Sequence, residues 1–304
     1  MAERESTTVS QPSLEEVLCD AVGKYERARA LMEKEQEPEQ GTIAILLLDA
    51  ELKLPPIAHA HPMNPEIAHL LGKVLFERRH FGAALIELNR ARENMAAENE
   101  ENILYRGLAL LCNDNPGAAA ATLRKAYAAR KSPNIARYLG EVYVTLGEYA
   151  RAKELLSLSL TANPYDAAGH ALLGETYFCL GLYKAAITYL KPALSIFKDD
   201  AFLHSILGIS LFHVRDQEHA EVHLQRAAEL EPGPRADCQL SFFYLNTGRY
   251  HEARTSVNKA RQAAPHDEDV LKQWRAVNRV VALTSRFRPE EESKRFKKRR
   301  GKRF

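Results

Sequence analysis

Apolar residues recur along most of this chain at spacings of three and four, which places them on one face of an α-helix. The stretch "RYLGEVYVTLGEYARAKELL", residues 137–156, reads as one amphipathic helix, a glycine and the start of a second helix. Residues 171–190, "ALLGETYFCLGLYKAAITYL", repeat the same arrangement. The pattern therefore predicts an all-α protein that is built from consecutive pairs of helices.

The helix pairs recur with a fixed period. Gly140, Gly174 and Gly208 are 34 residues apart, and each of them follows a leucine. An alanine lies twelve residues beyond each glycine, and a leucine lies four residues beyond each alanine. Gly and Ala allow two helix backbones to approach closely, where a larger side chain costs about 1–3 kcal/mol. The same frame, with slips of one residue, extends over residues 65–266.

This pattern resembles the tetratricopeptide repeat family, whose 34-residue unit carries small residues where two antiparallel helices touch. The resemblance covers six units over residues 65–266. It implies an all-α superhelical solenoid, because no single helix pair can bury its apolar face alone. Three departures weaken single units. Arg215 stands where the glycine between helices is expected, Lys198 where the closing proline is expected, and Ser241 where the glycine of the first helix is expected.

The segment before the repeats carries its own predictions. Residues 1–12 are expected to be disordered, and the apolar spacing over residues 13–56 predicts a degenerate first helix pair. The second helix of that pair is expected to stop at Pro55 and Pro56, because proline breaks a helix interior. Residues 57–64 are then expected to form a connector rich in proline and histidine.

The segment after the repeats divides into a predicted capping helix, residues 267–287, and a basic tail, residues 288–304. Like charges repel, so disorder is expected in the tail. The chain has 42 basic and 40 acidic residues, and eight of the basic ones lie in the last eleven positions, so the remainder is mildly acidic. The eight cations are Lys294, Arg295, Lys297, Lys298, Arg299, Arg300, Lys302 and Arg303.

The composition is that of a globular protein, with 45% hydrophobic and 27% charged residues. No apolar run reaches the length of about 20 residues that a membrane-spanning helix needs. The first residues are polar and carry no signal peptide, so the expected location is the cytoplasm, or the nucleus in a eukaryotic host. The four cysteines never form a CxxC pair, and we expect free, partly buried thiols.

We find no catalytic motif, and the expectation is a protein without enzymatic activity or cofactor. His219 and His223 lie one helical turn apart and could hold zinc. Because Ala220 and Leu224 occupy the inward positions of the repeat, we interpret both histidines as surface residues. His59 and His61 lie in the predicted connector, where we expect no metal site either.

The resemblance also implies a binding surface, because the first helices of the family line a concave groove. We expect that groove to be largely apolar with two carboxylates beside it. Its predicted members are Phe76, Leu104, Leu108, Leu111, Glu141, Glu175, Phe178, Phe202, Ile209, Phe212 and Phe242. The competing interpretation is that half of these side chains pack between adjacent first helices. The register of Phe178 and Phe212, 34 residues apart, favours the groove.

One branch of the family clamps the carboxylate of a chaperone tail with Lys and Asn at the fifth and ninth positions of its first helices. In four successive units those positions hold His69 and Lys73, Leu104 and Leu108, Arg137 and Glu141, and Ala171 and Glu175. We therefore do not expect an Hsp70 or Hsp90 co-chaperone of the carboxylate-clamp type.

Two functions remain open at this point. The first is a protein–protein interaction scaffold or adaptor, whose groove takes an amphipathic helix or an extended peptide. In that case the basic tail would localise or anchor the complex, or reach the acidic body of a second copy. The second is a nucleic-acid-associated factor that binds mainly through its tail. The charge of the tail also fits an anionic membrane.

Overall fold

The structure, a computed structural model, describes residues 14–32, 40–96 and 99–287. Within these ranges the chain forms fifteen α-helices and no strand. The helices are α1 Leu14–Met32, α2 Gln40–Ala60, α3 Pro65–Glu77, α4 Phe81–Asn94, α5 Glu100–Cys112, α6 Pro116–Arg130, α7 Pro133–Thr145, α8 Tyr149–Ala162, α9 Ala167–Cys179, α10 Tyr183–Ile196, α11 Ala201–His213, α12 Gln217–Leu230, α13 Pro234–Asn246, α14 Tyr250–Ala263 and α15 Glu268–Phe287.

Each odd-numbered helix from α1 to α13 packs against the even-numbered helix that follows it. The last helix, α15, packs against α14 and α13. These contacts confirm the predicted all-α class and the pairing of consecutive helices. The predictions of disorder for residues 1–12 and 288–304, together with the eight tail cations, lie outside the described residues.

The chain divides into two compact units, Met1–Ala162 and Asn163–Phe304. The core of the N-terminal unit includes a cluster from α1, α2 and α3, with Tyr25, Leu54 and Val74 among its buried side chains. The core of the C-terminal unit runs from α10 to α15, with Leu207 and Phe243 among its largest buried side chains. No helix of the described residues combines the length and apolarity needed to cross a membrane.

In the five pairs from α3–α4 to α11–α12, a glycine on the first helix faces a leucine on the second. A Cβ atom added to Gly140 would lie 2.7 Å from the Cγ of Leu156, which is closer than any side chain tolerates. Gly174 stands in the same relation to Leu190 at 2.7 Å. The same contact recurs at Gly72 with Leu88, Gly107 with Leu123, and Gly208 with Leu224. The repeating small residues therefore do set the distance between paired helices, as the sequence predicts.

The pair α13–α14 makes the corresponding close helix contact with different residues. Ser241 replaces the glycine, and its Oγ donates a hydrogen bond to the carbonyl of Ala253 at 2.9 Å. Val257 replaces the opposing leucine and is fully buried. A smaller partner and a satisfied hydroxyl thus accommodate the extra atoms of serine, so this departure from the family pattern preserves the helix contact.

The predicted end of α2 at Pro55 is wrong, because the helix continues through both prolines to Ala60. Each proline lacks the N–H that would bond to the carbonyl four residues earlier, which normally ends a helix. Here Pro55 and Pro56 are exposed, whereas Ile57 and Ala58 beyond them are buried in the N-terminal core. Burial of the next turn outweighs the two lost bonds. The connector is shortened to residues 61–64.

Candidate functional site

An apolar cavity of about 470 Å³ opens between α11, α13 and the start of α15. We call it the C-terminal cavity, and three of the predicted groove residues line it: Ile209, Phe212 and Phe242. Its volume falls within the range of about 300–1,000 Å³ that is typical of ligand pockets. The structure therefore gathers part of the predicted groove into one concave site inside the C-terminal unit.

Aromatic rings form the floor of the C-terminal cavity. The ring centre of Phe212 lies 6.0 Å from that of Phe242 and 5.8 Å from that of Phe243, and both pairs meet edge to face. Phe243 is buried, whereas Phe242 is 48% exposed. Phe243 therefore anchors the aromatic cluster in the core, and Phe242 presents an apolar surface that a ligand can reach.

Polar groups lie at the edge of the C-terminal cavity, where α15 begins. The carboxylate of Asp267 caps this helix, because its Oδ1 accepts hydrogen bonds from the amides of Asp269 and Val270 at 2.9 and 3.0 Å. The side chain of Gln273 donates to the carbonyl of Cys238 at 2.6 Å and ties α15 to α13. Arg235 is a cation on the same lining.

The electrostatic environment of the C-terminal cavity is negative at Cys238. Burial raises the pKa of the Cys238 thiol, and the charges of Asp237 and Asp267 raise it further. Burial is the larger cause, and the two carboxylates add to it because negative charge nearby disfavours the thiolate. Apolar walls and an acidic edge together suit a hydrophobic group that carries positive charge nearby.

Other predicted groove residues of the C-terminal unit lie elsewhere. Phe178 is half-buried, with its ring packed at 6.1 Å against Tyr183, and it does not line the C-terminal cavity. Glu175 is half-buried on α9. Phe202 lies under the guanidinium of Arg235 at 6.0 Å and lines a smaller cavity of about 240 Å³. Glu175 and Phe178 are therefore not part of the lining of the C-terminal cavity, although Phe178 packs against the same core cluster as Phe212.

The predicted groove residues of the N-terminal unit are partly used in packing. The ring of Phe76 lies 5.5 Å from Phe81 and 5.3 Å from Tyr105, so it contacts both its own helix partner and the next first helix. This is the competing interpretation raised from the sequence. Three leucines of α5 are half-buried: Leu104, Leu108 and Leu111.

Glu141, on α7, is a half-buried carboxylate of the N-terminal unit. Burial raises the pKa of Glu141, and the positive charge of Arg137 offsets the effect only in part. A carboxylate in this position is poised to interact with a cation, because a positive partner would relieve the cost of its burial.

The N-terminal unit also contains a polar cluster that sequence reasoning missed. The ammonium of Lys73 lies 2.7 Å from Glu101, and Nε2 of His69 lies 3.2 Å from the same carboxylate. The hydroxyls of Tyr25 and Tyr105 are 3.1 Å apart. Tyr25, His69 and Lys73 also line a cavity of about 510 Å³ between α1 and α3.

The polar cluster is satisfied largely by its own members. Tyr105 donates a hydrogen bond to Glu77 at 3.2 Å, and burial raises the pKa of Tyr105 to about 12. Burial also raises the pKa of Glu77 and lowers the pKa of His69. The hydrogen bonds and ion pairs join α1, α3 and α5, so we interpret the cluster as a polar network that holds these three helices together. Tyr25 and Tyr105 lie 80 positions apart, and no local motif signals their contact.

The histidines considered for zinc are arranged differently from the prediction. His223 is half-buried and pairs with His204 of α11, with their Nδ1 atoms 2.8 Å apart. His219 is exposed, as predicted, and its Nδ1 lies 2.9 Å from Asp216. The interpretation of His223 as a surface residue is therefore wrong, because α11 covers it. Among the described residues no three His, Cys, Asp or Glu side chains are placed to hold a metal ion.

The four cysteines are free, but the expectation that they are partly buried holds only for Cys238. Cys19, Cys112 and Cys179 are exposed. Cys112 and Cys179 are the last residues of α5 and α9, where the helix ends and its neighbours no longer cover the side chain.

The helix pairs, the Gly–Leu contact and the 34-residue period define the class of helical repeat proteins. Within that class, the family model "Tetratricopeptide repeat" matches residues 139–166. Residues 139–166 therefore form a tetratricopeptide repeat, and the rest of the chain continues the same arrangement of paired helices. A comparison with curated proteins finds no match. The fold supports a scaffold for protein–protein interaction in general, since arrays of this kind present extended binding surfaces.

Solved structures share this fold at low sequence identity. A chain of the Cut9–Hcn1 heterotetramer of the APC/C is 15% identical and has a TM-score of 0.62, with 90% of this chain and 57% of that chain covered. PilF of Pseudomonas aeruginosa is 14% identical with a TM-score of 0.59, covering 70% and 96%. A tetratricopeptide repeat protein of Parabacteroides merdae is 14% identical with a TM-score of 0.55, covering 85% and 99%.

Proposed function

We propose that this protein is a non-enzymatic adaptor whose C-terminal cavity binds an apolar segment of a partner protein, either an amphipathic helix or an extended peptide. The observation that carries this proposal is the exposed aromatic surface of Phe242 above the anchored rings of Phe212 and Phe243. Aromatic side chains supply much of the free energy of protein–protein binding when they meet an apolar partner in a desolvated pocket.

The charges at the C-terminal cavity indicate which residues a partner segment is expected to carry. Asp267 and Asp269 lie on its lining, and the charge of Asp267 adds to the raised pKa of the Cys238 thiol. A partner with an aromatic or branched aliphatic anchor next to Lys or Arg would therefore bind better than the same anchor next to Glu. In the N-terminal unit, the half-buried carboxylate of Glu141 favours a basic partner in the same way.

The experiment that tests the proposal is selection of short peptides from a random displayed library on the purified full chain. Enriched peptides are expected to share an apolar anchor flanked by basic residues. Their affinity, measured by fluorescence polarisation, is expected to fall at least about tenfold in Phe242→Glu, because a charge would replace the exposed ring. Tyr165→Glu is the matched control, since Tyr165 is 93% exposed and does not line the C-terminal cavity.

The same proteins separate the adaptor from the nucleic-acid factor. Peptide binding that survives a stop after Pro289 and is lost in Phe242→Glu would support the adaptor. Binding of a labelled random-sequence DNA duplex that weakens steeply with salt, and that disappears with the same stop, would favour the tail as the main binding element. Equal peptide affinity for Phe242→Glu and Tyr165→Glu would sink the cavity proposal.

A further inference from the structure

We infer that the C-terminal cavity has an occupant within its own chain: Phe304 of the basic tail, with Lys302 and Arg303 beside the acidic edge at Asp267 and Asp269. The inference uses the cavity of the proposed function, but it requires no external partner. It makes the tail a competitor that a partner peptide must displace.

The shape of the C-terminal cavity suits an aromatic side chain. Its floor consists of Phe212, Phe242 and Phe243, whose rings already pair edge to face. An added ring can extend this cluster in the same geometry, which aromatic pairs prefer. The volume of about 470 Å³ leaves room for the ring and the backbone that carries it.

The charge of the C-terminal cavity complements the tail. Asp267 and Asp269 lie on the lining where α15 begins. Lys272 already pairs with Asp269 at 3.0 Å, and Arg235 adds one cation to the lining, so the carboxylate of Asp267 is the main attraction for an arriving cation. The tail supplies Lys302 and Arg303 directly before Phe304. An aromatic ring next to two cations is the chemistry that an apolar cavity with an acidic edge recognises.

The length of the tail allows Phe304 to return to the C-terminal cavity. Helix α15 has 20 residues, so its end lies about 30 Å from its start at 1.5 Å per residue. Seventeen residues follow Phe287, and an extended chain of that length spans about 56 Å at 3.3 Å per residue. Phe296, the other aromatic of the tail, lies only nine residues beyond the helix and reaches back about 30 Å. Phe304 therefore reaches the cavity with slack, whereas Phe296 needs a fully stretched chain.

Cys238 provides a direct probe, because this thiol lines the C-terminal cavity. In the full chain with Cys19, Cys112 and Cys179 replaced by serine, the rate at which N-ethylmaleimide modifies Cys238 is followed by intact-mass spectrometry. The reagent is uncharged, so the charge of the tail does not attract or repel it. Phe304→Ala is expected to raise the rate about tenfold, as for a ligand of about 0.1 mM affinity tethered at about 1 mM effective concentration.

Two matched controls test the aromatic and the charged parts of the inference separately. Phe296→Ala is expected to leave the modification rate of Cys238 unchanged. Lys302→Gln with Arg303→Gln is expected to raise the rate, whereas Lys294→Gln with Arg295→Gln removes the same charge farther from Phe304 and is expected to change it little. Salt of about 1 M, where the Debye length is about 3 Å, is expected to bring the wild-type rate toward that of Phe304→Ala.

Three outcomes would overturn the inference. Equal rates in the wild type, in Phe304→Ala and in a stop after Pro289 would show that the tail does not cover the C-terminal cavity. Faster modification of Cys238 in Phe296→Ala than in Phe304→Ala would show that Phe296, and not Phe304, covers the cavity. Protection that grows with protein concentration would place the tail of a second copy in the cavity. None of these results depends on peptide binding, so the proposed function can fail or stand independently.

Discussion

Nδ1 of His204 lies 2.8 Å from Nδ1 of His223, and this contact joins α11 to α12. Nε2 of His204 lies 3.0 Å from the carbonyl oxygen of Lys198, which can only accept, so Nε2 carries the proton. In neutral His204 the Nδ1 atom is then an acceptor, and His223 donates to it. This hydrogen bond is lost when both rings are protonated, because both Nδ1 atoms are then donors.

Acid is expected to destabilise the C-terminal unit through His223. Burial lowers the pKa of His223, and the charges of His204, His219 and Lys191 lower it further. Because the folded-state pKa lies below the ordinary value of 6.5, the neutral form contributes its full stability above that pH. This contribution is lost as the pH falls through the folded-state pKa. Urea unfolding of the wild type at pH 7.5 and 5.0 measures the loss.

His223→Gln is expected to unfold at a urea midpoint that depends less on pH between 7.5 and 5.0. Glutamine does not titrate and can still hydrogen-bond. His266→Gln is the control, because His266 is exposed on the same unit and should leave the pH dependence as it is. A pH dependence that is identical in the wild type and in both variants would show that the His204–His223 pair is not the acid-sensitive contact.

The Gly–Leu contact predicts the outcome of adding a single methyl group. Gly140→Ala would place a Cβ atom 2.7 Å from Cγ of Leu156, and we expect the free energy of unfolding to fall by about 1–3 kcal/mol. Gly23→Ala is the matched control in the N-terminal unit, because Gly23 is helical and exposed with no atom within 4 Å of the added Cβ. It should stabilise by about 0.5–1 kcal/mol, since alanine favours the helix. Chemical denaturation measures the change in the free energy of unfolding for each variant, and the two changes should have opposite signs.

The periodic part of the fold could be predicted from the sequence, because each contact repeats a residue type at a fixed distance along the chain. Gly174 and Leu190 are 16 positions apart, as are Gly208 and Leu224, so the pairing follows from spacing alone. The continuation of α2 through Pro55 could not be predicted, because it depends on burial of the next turn against α3. Local propensity favours an end of α2 at Pro55, but tertiary packing outweighs this preference.

Of the candidate site, too, only the residues that recur with the repeat could be predicted from the sequence. Ile209, Phe212 and Phe242 fall at recurring positions of first helices, so the resemblance to the family selects them. The closing wall of the C-terminal cavity comes from Gln273 of α15 and from Asp267, which caps this helix, and both lie outside the repeats. Periodicity carries no information on how a non-repeating helix packs against the last pair.

Arg215 is a departure from the repeat that has a measurable consequence. Its φ of 71° matches the values of 73° at Gly147 and 71° at Gly181, so arginine adopts the left-handed conformation that glycine favours. A residue with a Cβ costs about 1–2 kcal/mol there. Arg215→Gly is therefore expected to stabilise the C-terminal unit by about 1 kcal/mol.

Arg215→Ala separates the backbone effect from the loss of the side chain. Alanine keeps the Cβ atom and hence the backbone cost, so this variant should show little or no gain in thermal midpoint. Equal stabilisation by glycine and alanine would instead assign the effect to removal of the charged side chain.

Glu141 is expected to limit the stability of the protein at neutral pH. Burial raises the pKa of Glu141 above its ordinary value of 4.5, so holding the carboxylate ionised in the folded state costs free energy once the pH exceeds the folded-state pKa. Glu141→Gln removes that cost and is expected to raise the urea midpoint at pH 7.5. Below about pH 4.5 the carboxyl is protonated in the folded and unfolded states, and the two proteins should unfold at the same urea concentration.

Glu154→Gln controls for the general effect of removing one negative charge, because Glu154 is exposed on the neighbouring helix α8. It should change the midpoint little at either pH. If Glu141 contributes to partner binding, Glu141→Gln should also weaken the selected basic peptides while it stabilises the protein, since a carboxylate kept at a cost to folding is characteristic of a binding residue. A stabilised variant with unchanged peptide affinity would leave Glu141 outside the binding surface and confine the proposed site to the C-terminal cavity.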